Sequence, residues 1–196
     1  MKSDKLIIYI MIKPIIYILL KILYRPKYID THLIPQNGPI IVCGNHVHAF
    51  DPLLAIASNK RTLHFLAKKE LFKFGFGLIL RSIGTIPVDR SKKDNNATDY
   101  AQKYLKDGKA LAIFPESTRN KTNELLLPFK YGSVSLAKKT GALIVPYAIV
   151  NKYKLFRKSV TVIYDEPIDI TNMDMNEANE YLKKSIKNIL ESNGSI

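Results

Sequence analysis

Beyond residue 38 the chain alternates short aliphatic runs with longer amphipathic segments, and this order constrains the fold more than any other feature. Short apolar runs between turn residues predict buried strands, and apolar residues spaced three and four apart predict helices. Alternation of the two is typical of α/β domains. The predicted strands are residues 40–43, 85–88, 110–114, 142–150 and 159–164, and the predicted helices are residues 53–59, 70–82, 95–107, 130–139 and 176–191. We therefore expect one α/β domain, residues 29–196, with a central mixed, largely parallel sheet flanked by helices.

The chain is long enough for one domain with a substantial core. Its 196 residues fall near the usual domain range, and 46% of them are hydrophobic. The one cysteine, Cys43, cannot form an intramolecular disulfide, which fits a reducing compartment. Cys43 could be a nucleophile, but its position in an aliphatic run favours a buried strand residue.

The net charge of +13 indicates an acidic partner: nucleic acid, an anionic membrane or a phosphorylated substrate. In the first 27 residues the only acidic side chain is Asp4, and six cations interrupt strongly apolar runs: Lys2, Lys5, Lys13, Lys21, Arg25 and Lys27. No recognisable nucleic-acid module is present. The distribution therefore favours an anionic membrane surface and no nucleic acid.

Residues 1–28 predict a helical segment that lies in the membrane interface at the cytoplasmic face of the cell membrane. Every fourth residue is cationic or phenolic, and on a helix these side chains form a stripe able to reach headgroups: Lys5, Tyr9, Lys13, Tyr17, Lys21 and Arg25. Pro14 is expected to kink or divide the helix. A transmembrane span would place Lys13 near mid-bilayer at a cost of about 2.5–3.5 kcal/mol. A cleaved signal peptide and an apolar helix docked on the domain's own core are further alternatives.

A polar loop follows the first predicted strand and contains His46 and Asp51 in a His-x-x-x-x-Asp arrangement. A histidine oriented by a carboxylate can take a proton from a hydroxyl at neutral pH. On one continuous helix the two side chains would lie roughly 140° apart, so a tight loop is needed to bring them together. We predict such a loop, with Asp51 at the helix cap and Pro52 at the first helical position. The alternative is that Asp51 only caps the helix.

Three more segments follow in order: Gly84-Thr85-Ile86-Pro87-Val88-Asp89-Arg90, Phe114-Pro115-Glu116-Ser117-Thr118-Arg119-Asn120, and Val145-Pro146-Tyr147-Ala148-Ile149. Together with Asn45-His46 to Asp51, this set resembles the four motif blocks of the glycerolipid acyltransferases, most closely the bacterial 1-acyl-glycerol-3-phosphate acyltransferases. The resemblance runs from about residue 38 to residue 165. Ser117 departs from it, because the family usually has glycine there, a residue that permits close backbone approach and a positive φ.

The resemblance implies transfer of an acyl group to the free hydroxyl of lysophosphatidic acid, with His46 as general base and Asp51 orienting it. The acyl donor would be a thioester of acyl carrier protein or coenzyme A, with no covalent acyl-enzyme, cofactor or metal. The oxyanion would be bound by loop amides near His46 or Ser117.

The acceptor's phosphate needs cationic partners, and Arg119 is the strongest candidate because its planar guanidinium can bind phosphate oxygens bidentately. Glu116 is expected to orient Arg119 or a substrate hydroxyl. The acceptor-binding residues that the resemblance implies are Gly84, Arg90, Glu116, Thr118 and Arg119, with Lys69 and Lys130 as further phosphate candidates. For the two lysines a solvated surface position is the alternative, and for Arg90 a salt bridge with Asp89.

Two other functions remain open at this stage. His46, His48 and Asp51 superficially resemble a metallo-hydrolase cluster, but catalytic zinc ordinarily takes three protein ligands, and His32 and His64 belong to unrelated segments. His48 is better explained as a supporting loop residue. A basic membrane-binding protein without activity would leave the four motifs unexplained. The sequence does not determine the oligomeric state.

Overall fold

The computed structural model describes residues 3–72, 77, 80, 84–89 and 95–194, without the side chains of residues 3–7 and 95. Its α-helices are α1 (Ser3–Leu23), α2 (Asp51–Ser58), α3 (Asn95–Lys106), α4 (Gly132–Thr140) and α5 (Met175–Ser192). Its strands are β1 (Lys27–Ile29), β2 (Ile40–Gly44), β3 (Leu63–Lys68), β4 (Ile86–Val88), β5 (Ala110–Ile113), β6 (Leu143–Val150) and β7 (Thr161–Tyr164). Short 3-10 helices cover Thr31–Leu33 and Lys69–Phe72.

The strands form one sheet in the order β1-β7-β6-β2-β5-β3-β4. All neighbours are parallel except β6 and β7. This arrangement confirms the predicted mixed, largely parallel sheet. The carboxyl ends of β2, β5, β3 and β4 consequently meet at one edge, where open α/β sheets commonly bind ligands.

Successive side chains of β2 point to opposite faces of the sheet, and helices cover each face. Ile40 and Val42 pack with α1 and α2, whereas Ile41 and Cys43 pack with α3, α4 and α5. Because both faces are covered, the strand is apolar at every position rather than alternating apolar with polar. Cys43 is fully buried within β2, which confirms the predicted strand position, and burial raises the pKa of its thiol to about 12.

Two strands were missing from the sequence prediction. β1 is only three residues long and lies at the sheet edge, and β3 interrupts its aliphatic pattern with His64. For the other predicted helices and strands that the structure describes, the observed first and last residues differ from the predicted ones by at most two positions. For the helix predicted at residues 70–82, only a 3-10 turn at its start is described in detail, and residues 73–76, 78–79 and 81–83 lie outside the described part of the chain.

One face of α1 lies against the domain rather than facing a membrane. The helix continues through Pro14, so of the two expected effects the division was wrong, and the kink stays a prediction. Tyr9 is buried, and its hydroxyl accepts the Leu63 N–H at 3.2 Å. The Lys13 ammonium donates to the Asn59 carbonyl oxygen at 2.5 Å. The expected stripe of headgroup-directed tips is therefore wrong at Tyr9 and Lys13, because the last turn of α2 and the start of β3 offer these polar ends partners inside the protein.

The opposite face of α1 is aliphatic and exposed, and it includes Ile10, Met11, Ile15, Ile18, Leu19 and Ile22. Within the residues that the structure describes, no helix is both long enough and apolar enough to cross a membrane. The division into a segment of residues 1–28 and a domain of residues 29–196 stays a prediction.

Candidate active site

The His46 side chain, in the loop between β2 and α2, meets the side chain of Asp51, the first residue of α2. His46 Nδ1 lies 2.8 Å from Asp51 Oδ2, and the Asp51 side chain has no exposed surface. An ionised carboxylate can only accept, so in the neutral imidazole Nδ1 donates and Nε2 carries the lone pair. The His46 ring retains 18% of its surface exposed. The predicted loop geometry is confirmed, and it leaves the imidazole able to take a proton at Nε2.

Asp51 accepts four hydrogen bonds, none of which caps the helix. Oδ2 accepts the Val47 and His48 N–H groups at 2.7 Å each in addition to His46, and Oδ1 accepts the Tyr153 hydroxyl at 2.5 Å. The helix cap is Phe50, whose carbonyl oxygen accepts the Leu54 N–H at 3.1 Å, so the prediction that Asp51 caps α2 was wrong. The carboxylate is used to hold the loop and the histidine ring.

Three neighbours fix the loop to the sheet. The Asn45 side-chain amide accepts the Ile149 N–H at 2.7 Å and donates to the Ile149 carbonyl oxygen at 3.1 Å, which ties the loop to β6. The Phe114 ring stacks on the His46 ring with centroids 4.2 Å apart. At Gly44 a Cβ atom would lie 2.3 Å from the Tyr147 ring, so only glycine lets that buried ring pack against the strand end.

Glu116 joins the loop after β2 to the loop after β5. Its Oε1 accepts the His46 N–H and its Oε2 the Leu127 N–H, both at 2.8 Å. Burial raises the pKa of the Glu116 carboxyl, while these two amides oppose the rise. Each Glu116 oxygen holds a backbone amide, and neither is bonded to Arg119 within the described residues. That Glu116 orients Arg119 or a substrate hydroxyl stays a prediction.

The backbone amides proposed for the oxyanion are already occupied. His46, Val47 and His48 donate to carboxylates, and the Ser117 N–H donates to the Phe114 carbonyl oxygen at 2.9 Å. Ser117 adopts a φ of 59°, the left-handed conformation that glycine supplies more easily, so the backbone geometry expected of a glycine is kept. The next two amides, Thr118 and Arg119, have no acceptor among the described residues.

Several candidate phosphate ligands lie near the same sheet edge. Arg119 is exposed and forms no ion pair or side-chain hydrogen bond within the described part of the chain. Lys69 is exposed directly after β3. Lys130 is also exposed, and its N–H donates to the Pro115 carbonyl oxygen at 2.9 Å, which places it beside the loop after β5. Thr118 is exposed on that loop.

Two candidates from the second motif block stand apart. Arg90 follows β4 in the chain but lies outside the described residues. Gly84 is buried ahead of β4, with a φ of 73°, and its carbonyl oxygen accepts from His64 Nδ1 at 3.0 Å. The structure thus gives Gly84 a backbone role, and its part in substrate binding stays a prediction.

Comparison with known proteins assigns the chain to a family. The model of the family described as Acyltransferase matches residues 25–150, which contain the dyad, Glu116 and Arg119. The chain belongs to the acyltransferase family.

Relatives of this acyltransferase carry one name. A protein of Borreliella burgdorferi named 1-acyl-sn-glycerol-3-phosphate acyltransferase is 30% identical over 167 residues, which are 80% of this chain and 65% of that protein. A Helicobacter pylori protein of the same name is 32% identical, over 66% of this chain and 56% of its own. The chain therefore spans about three fifths of the length of these relatives.

The solved structure of the 1-acyl-sn-glycerophosphate (LPA) acyltransferase PlsC from Thermotoga maritima is similar, with a TM-score of 0.74 and 26% identity. The match covers 85% of this acyltransferase and 71% of that chain. It supports the single-domain mixed α/β fold.

His48 contributes to packing in this acyltransferase. Its Nδ1 accepts the Phe50 N–H at 3.3 Å, and its ring stacks on Tyr153 with centroids 4.1 Å apart. Within the described ranges, no three His, Cys, Asp or Glu side chains are arranged to hold a metal ion. That the enzyme works without a metal stays a prediction.

Sequence reasoning missed the supporting residues of the acyltransferase site. Tyr153 lies 102 residues from Asp51 and outside every motif block, so no local signal identifies it. Asn45 and Phe114 were inside the motif blocks, but their roles depend on which strands are neighbours. Gly44 precedes the motif and resembles an ordinary strand end.

Proposed function

We propose that this acyltransferase transfers a fatty acyl group from an acyl thioester to the free 2-hydroxyl of 1-acyl-glycerol-3-phosphate and so makes phosphatidic acid. The observation that carries the proposal is the His46–Asp51 pair, with Nδ1 held by a buried carboxylate and Nε2 unbonded within the described residues. The names of the relatives supply the substrate class. The thioester is carried by acyl carrier protein or coenzyme A.

The chemistry needs one base and no covalent enzyme intermediate. His46 Nε2 takes the proton of the acceptor hydroxyl as its oxygen attacks the thioester carbonyl. Asp51 stabilises the imidazolium that forms, much as a carboxylate does in hydrolase triads. Collapse of the tetrahedral intermediate breaks the carbon–sulfur bond, and the imidazolium proton passes to the thiolate. Base and enzyme return to their starting state, and no cofactor takes part.

The cations at the sheet edge bind the acceptor's phosphate. Arg119 is the central group, because it is exposed, unpaired within the described residues and able to bind two phosphate oxygens at once. Lys69 and Lys130 add positive charge at the same sheet edge, and Arg90 is a further phosphate ligand implied by the second motif block. Glu116 acts indirectly, since it fixes His46 and the loop that carries Arg119.

The oxyanion is stabilised by the N–H groups of Thr118 and Arg119. Both amides follow Ser117, whose left-handed conformation turns the chain, and neither has an acceptor among the described residues. Successive amides next to a left-handed residue make anion-binding concavities. Fixed donors of this kind stabilise the developing charge more than the neutral carbonyl.

The enzyme works at the cytoplasmic face of the cell membrane and rests on it through α1. The inner face of the helix is committed to the domain, and the outer face exposes aliphatic side chains such as Met11, Ile15 and Ile22. Exposed aliphatic side chains of this extent are typical of helices that lie in the membrane interface. A membrane position also supplies the lysolipid.

The test is an assay of purified protein with lysophosphatidate and each thioester, comparing wild type with His46→Ala and Asp51→Asn. We expect kcat to fall about 10²–10⁴-fold in each variant, as for loss of a general base or its orienting carboxylate. His32→Ala is the matched control, because His32 is exposed and remote in the chain from the site. Normal turnover by His46→Ala would defeat the mechanism.

Two further outcomes separate the alternatives. Activity only with another lysolipid or with glycerol-3-phosphate would keep the chemistry and change the acceptor. A stoichiometric metal ion whose removal abolishes activity would favour the hydrolase alternative over the acyltransferase role of His46. Intact biological function in His46→Ala would favour a membrane-binding protein without activity.

A further inference from the structure

The loop between β6 and β7, residues 151–160, exposes two large apolar side chains among cations. Leu155 is 58% exposed and Phe156 is 63% exposed. The loop contains no acidic residue, and its exposed cations are Lys152, Lys154, Arg157 and Lys158. Apolar tips beside positive charge are suited to the boundary between lipid headgroups and acyl chains.

This loop is joined to the end of α1. The Phe156 N–H donates to the Leu23 carbonyl oxygen at 2.5 Å, and the Ser159 N–H donates to the Tyr24 carbonyl oxygen at 3.2 Å. The Tyr24 ring also contacts the Tyr153 ring edge-on, with centroids 5.1 Å apart. The loop and the exposed face of α1 are therefore held in one arrangement, and Phe156 extends the aliphatic surface of the helix.

A cleft of about 630 Å³ lies between the two elements. Three cations line it, Lys21, Arg25 and Lys158, and no acidic side chain does. Tyr28 also lines the cleft, and its hydroxyl is buried without a hydrogen-bond partner in the described part of the chain. A buried polar atom without a partner is rare, and a ligand oxygen would satisfy it. The cleft shares no lining residue with the His46 site.

We infer that the β6–β7 loop is a second membrane-docking element beside α1, and that the cleft between them binds the phosphate of an anionic bilayer phospholipid. The cations meet the phosphate, and Phe156 and Leu155 enter the acyl region beside Ile18 and Ile22. A nucleic acid would match the charge but leave these apolar side chains in water. The inference rests on the proposed membrane position of the enzyme, and it adds the loop and the phosphate site to it.

Docking through this loop would also fix where the active site stands. Tyr153 belongs to the same loop and donates to Asp51, so the docking surface and the dyad are joined by one short segment. The dyad then lies next to the bilayer that holds the lysolipid.

The test is sedimentation of the full chain with vesicles of phosphatidylcholine alone or mixed with phosphatidylglycerol. We expect tighter binding to the mixed vesicles. Phe156→Ser should weaken that binding about tenfold through lost apolar burial. Arg157→Gln/Lys158→Gln should weaken it about 10- to 30-fold, at about fivefold per cation near an anionic surface. All three side chains are exposed, so folding should be unaffected.

The matched control is Lys103→Gln/Lys106→Gln, which removes two exposed cations from α3 on the opposite side of the sheet. It should bind vesicles like wild type. Equal binding by all variants, equal binding to both vesicle types, or preference for a DNA duplex over mixed vesicles would each overturn the inference. Turnover of a short-chain, water-soluble lysophosphatidate should be unchanged in Phe156→Ser, so failure of docking and failure of the proposed reaction are distinguishable.

Discussion

The hydroxyl group of Tyr153 donates to Oδ1 of Asp51 at 2.5 Å, across 102 residues of chain. Burial, together with the nearby Asp51 carboxylate, raises the pKa of Tyr153 well above its ordinary value, so the phenol remains a donor. Oδ2 is left for His46 and two loop amides. We therefore expect Tyr153 to be a positioning residue that helps to keep Oδ2 directed at the histidine.

Replacing Tyr153 by phenylalanine should lower kcat roughly tenfold and leave KM for both substrates nearly unchanged. The reason is that a hydrogen bond to a charged group contributes about 1.5–3 kcal/mol, and its loss loosens the carboxylate that holds His46. Steady-state kinetics measure both constants. Tyr100→Phe, on an exposed side chain, is the control. An unchanged kcat with a higher KM would show that Tyr153 contacts substrate instead.

Replacing Glu116 by glutamine should lower the free energy of unfolding by about 1–3 kcal/mol. In the wild type each carboxylate oxygen accepts one backbone N–H. In the variant the side-chain NH₂ group would face one of these two N–H groups and leave it a buried donor without an acceptor. Denaturant unfolding measures the change, and Glu124→Gln on the exposed part of the following loop is the control. Unchanged stability with a raised KM for the acceptor would instead favour the role first expected for Glu116, contact with Arg119 or substrate.

Replacing Gly44 by alanine should destabilise the fold by roughly 3 kcal/mol. The added methyl group would lie 2.3–2.6 Å from three atoms of the Tyr147 ring, which is buried and has little space to move. Thermal unfolding checks this. Gly132→Ala is the control, because nothing lies within 4 Å of a Cβ atom there. A melting temperature equal to that of the wild type would show that the Tyr147 ring is loosely packed against the end of β2.

His64 should make the fold sensitive to mild acid. Burial lowers its pKa from 6.5 to about 4, so below pH 6.5 the unfolded chain takes up a proton that the folded chain does not. The free energy of unfolding should therefore fall as the pH decreases from 6.5 toward 4, by about 2 kcal/mol between pH 6.5 and 4.5.

His64→Gln should remove this part of the acid sensitivity, and His32→Gln should retain it because His32 is exposed. Urea unfolding at several pH values compares the three proteins. Parallel curves for wild type and His64→Gln would contradict the assignment.

The order of elements and the meeting of His46 with Asp51 could be predicted from the sequence because both depend on local patterns. Fully buried parallel strands have continuous aliphatic sequences, as in β2, and a strand, polar loop and helix start in succession define where the dyad lies. β1 and β3 could not be predicted, since a three-residue edge strand and a strand containing a buried histidine depend on their neighbours for stability.

The contacts that complete the site required the tertiary structure. Glu116 was recognised as a site residue, but its hydrogen bonds to His46 and Leu127 depend on how two loops pack. The sequence also could not show that Tyr9 and Lys13 contact the domain. Their four-residue spacing is equally compatible with a helix face directed at lipid and one directed at α2.

Glu116 and Asn120 join the loop after β5 to the loop after β2 at two points: the His46 N–H donates to Glu116 Oε1 at 2.8 Å, and the Asn120 N–H donates to the His46 carbonyl oxygen at 2.6 Å. Two loops joined in this way hold the backbone near Arg119 in a set position relative to His46. Under the proposed function, this arrangement limits the distance between the phosphate bound by Arg119 and the hydroxyl that reaches Nε2 of His46. We therefore expect acceptors to be distinguished first by the number of bonds between their phosphate and their reactive hydroxyl.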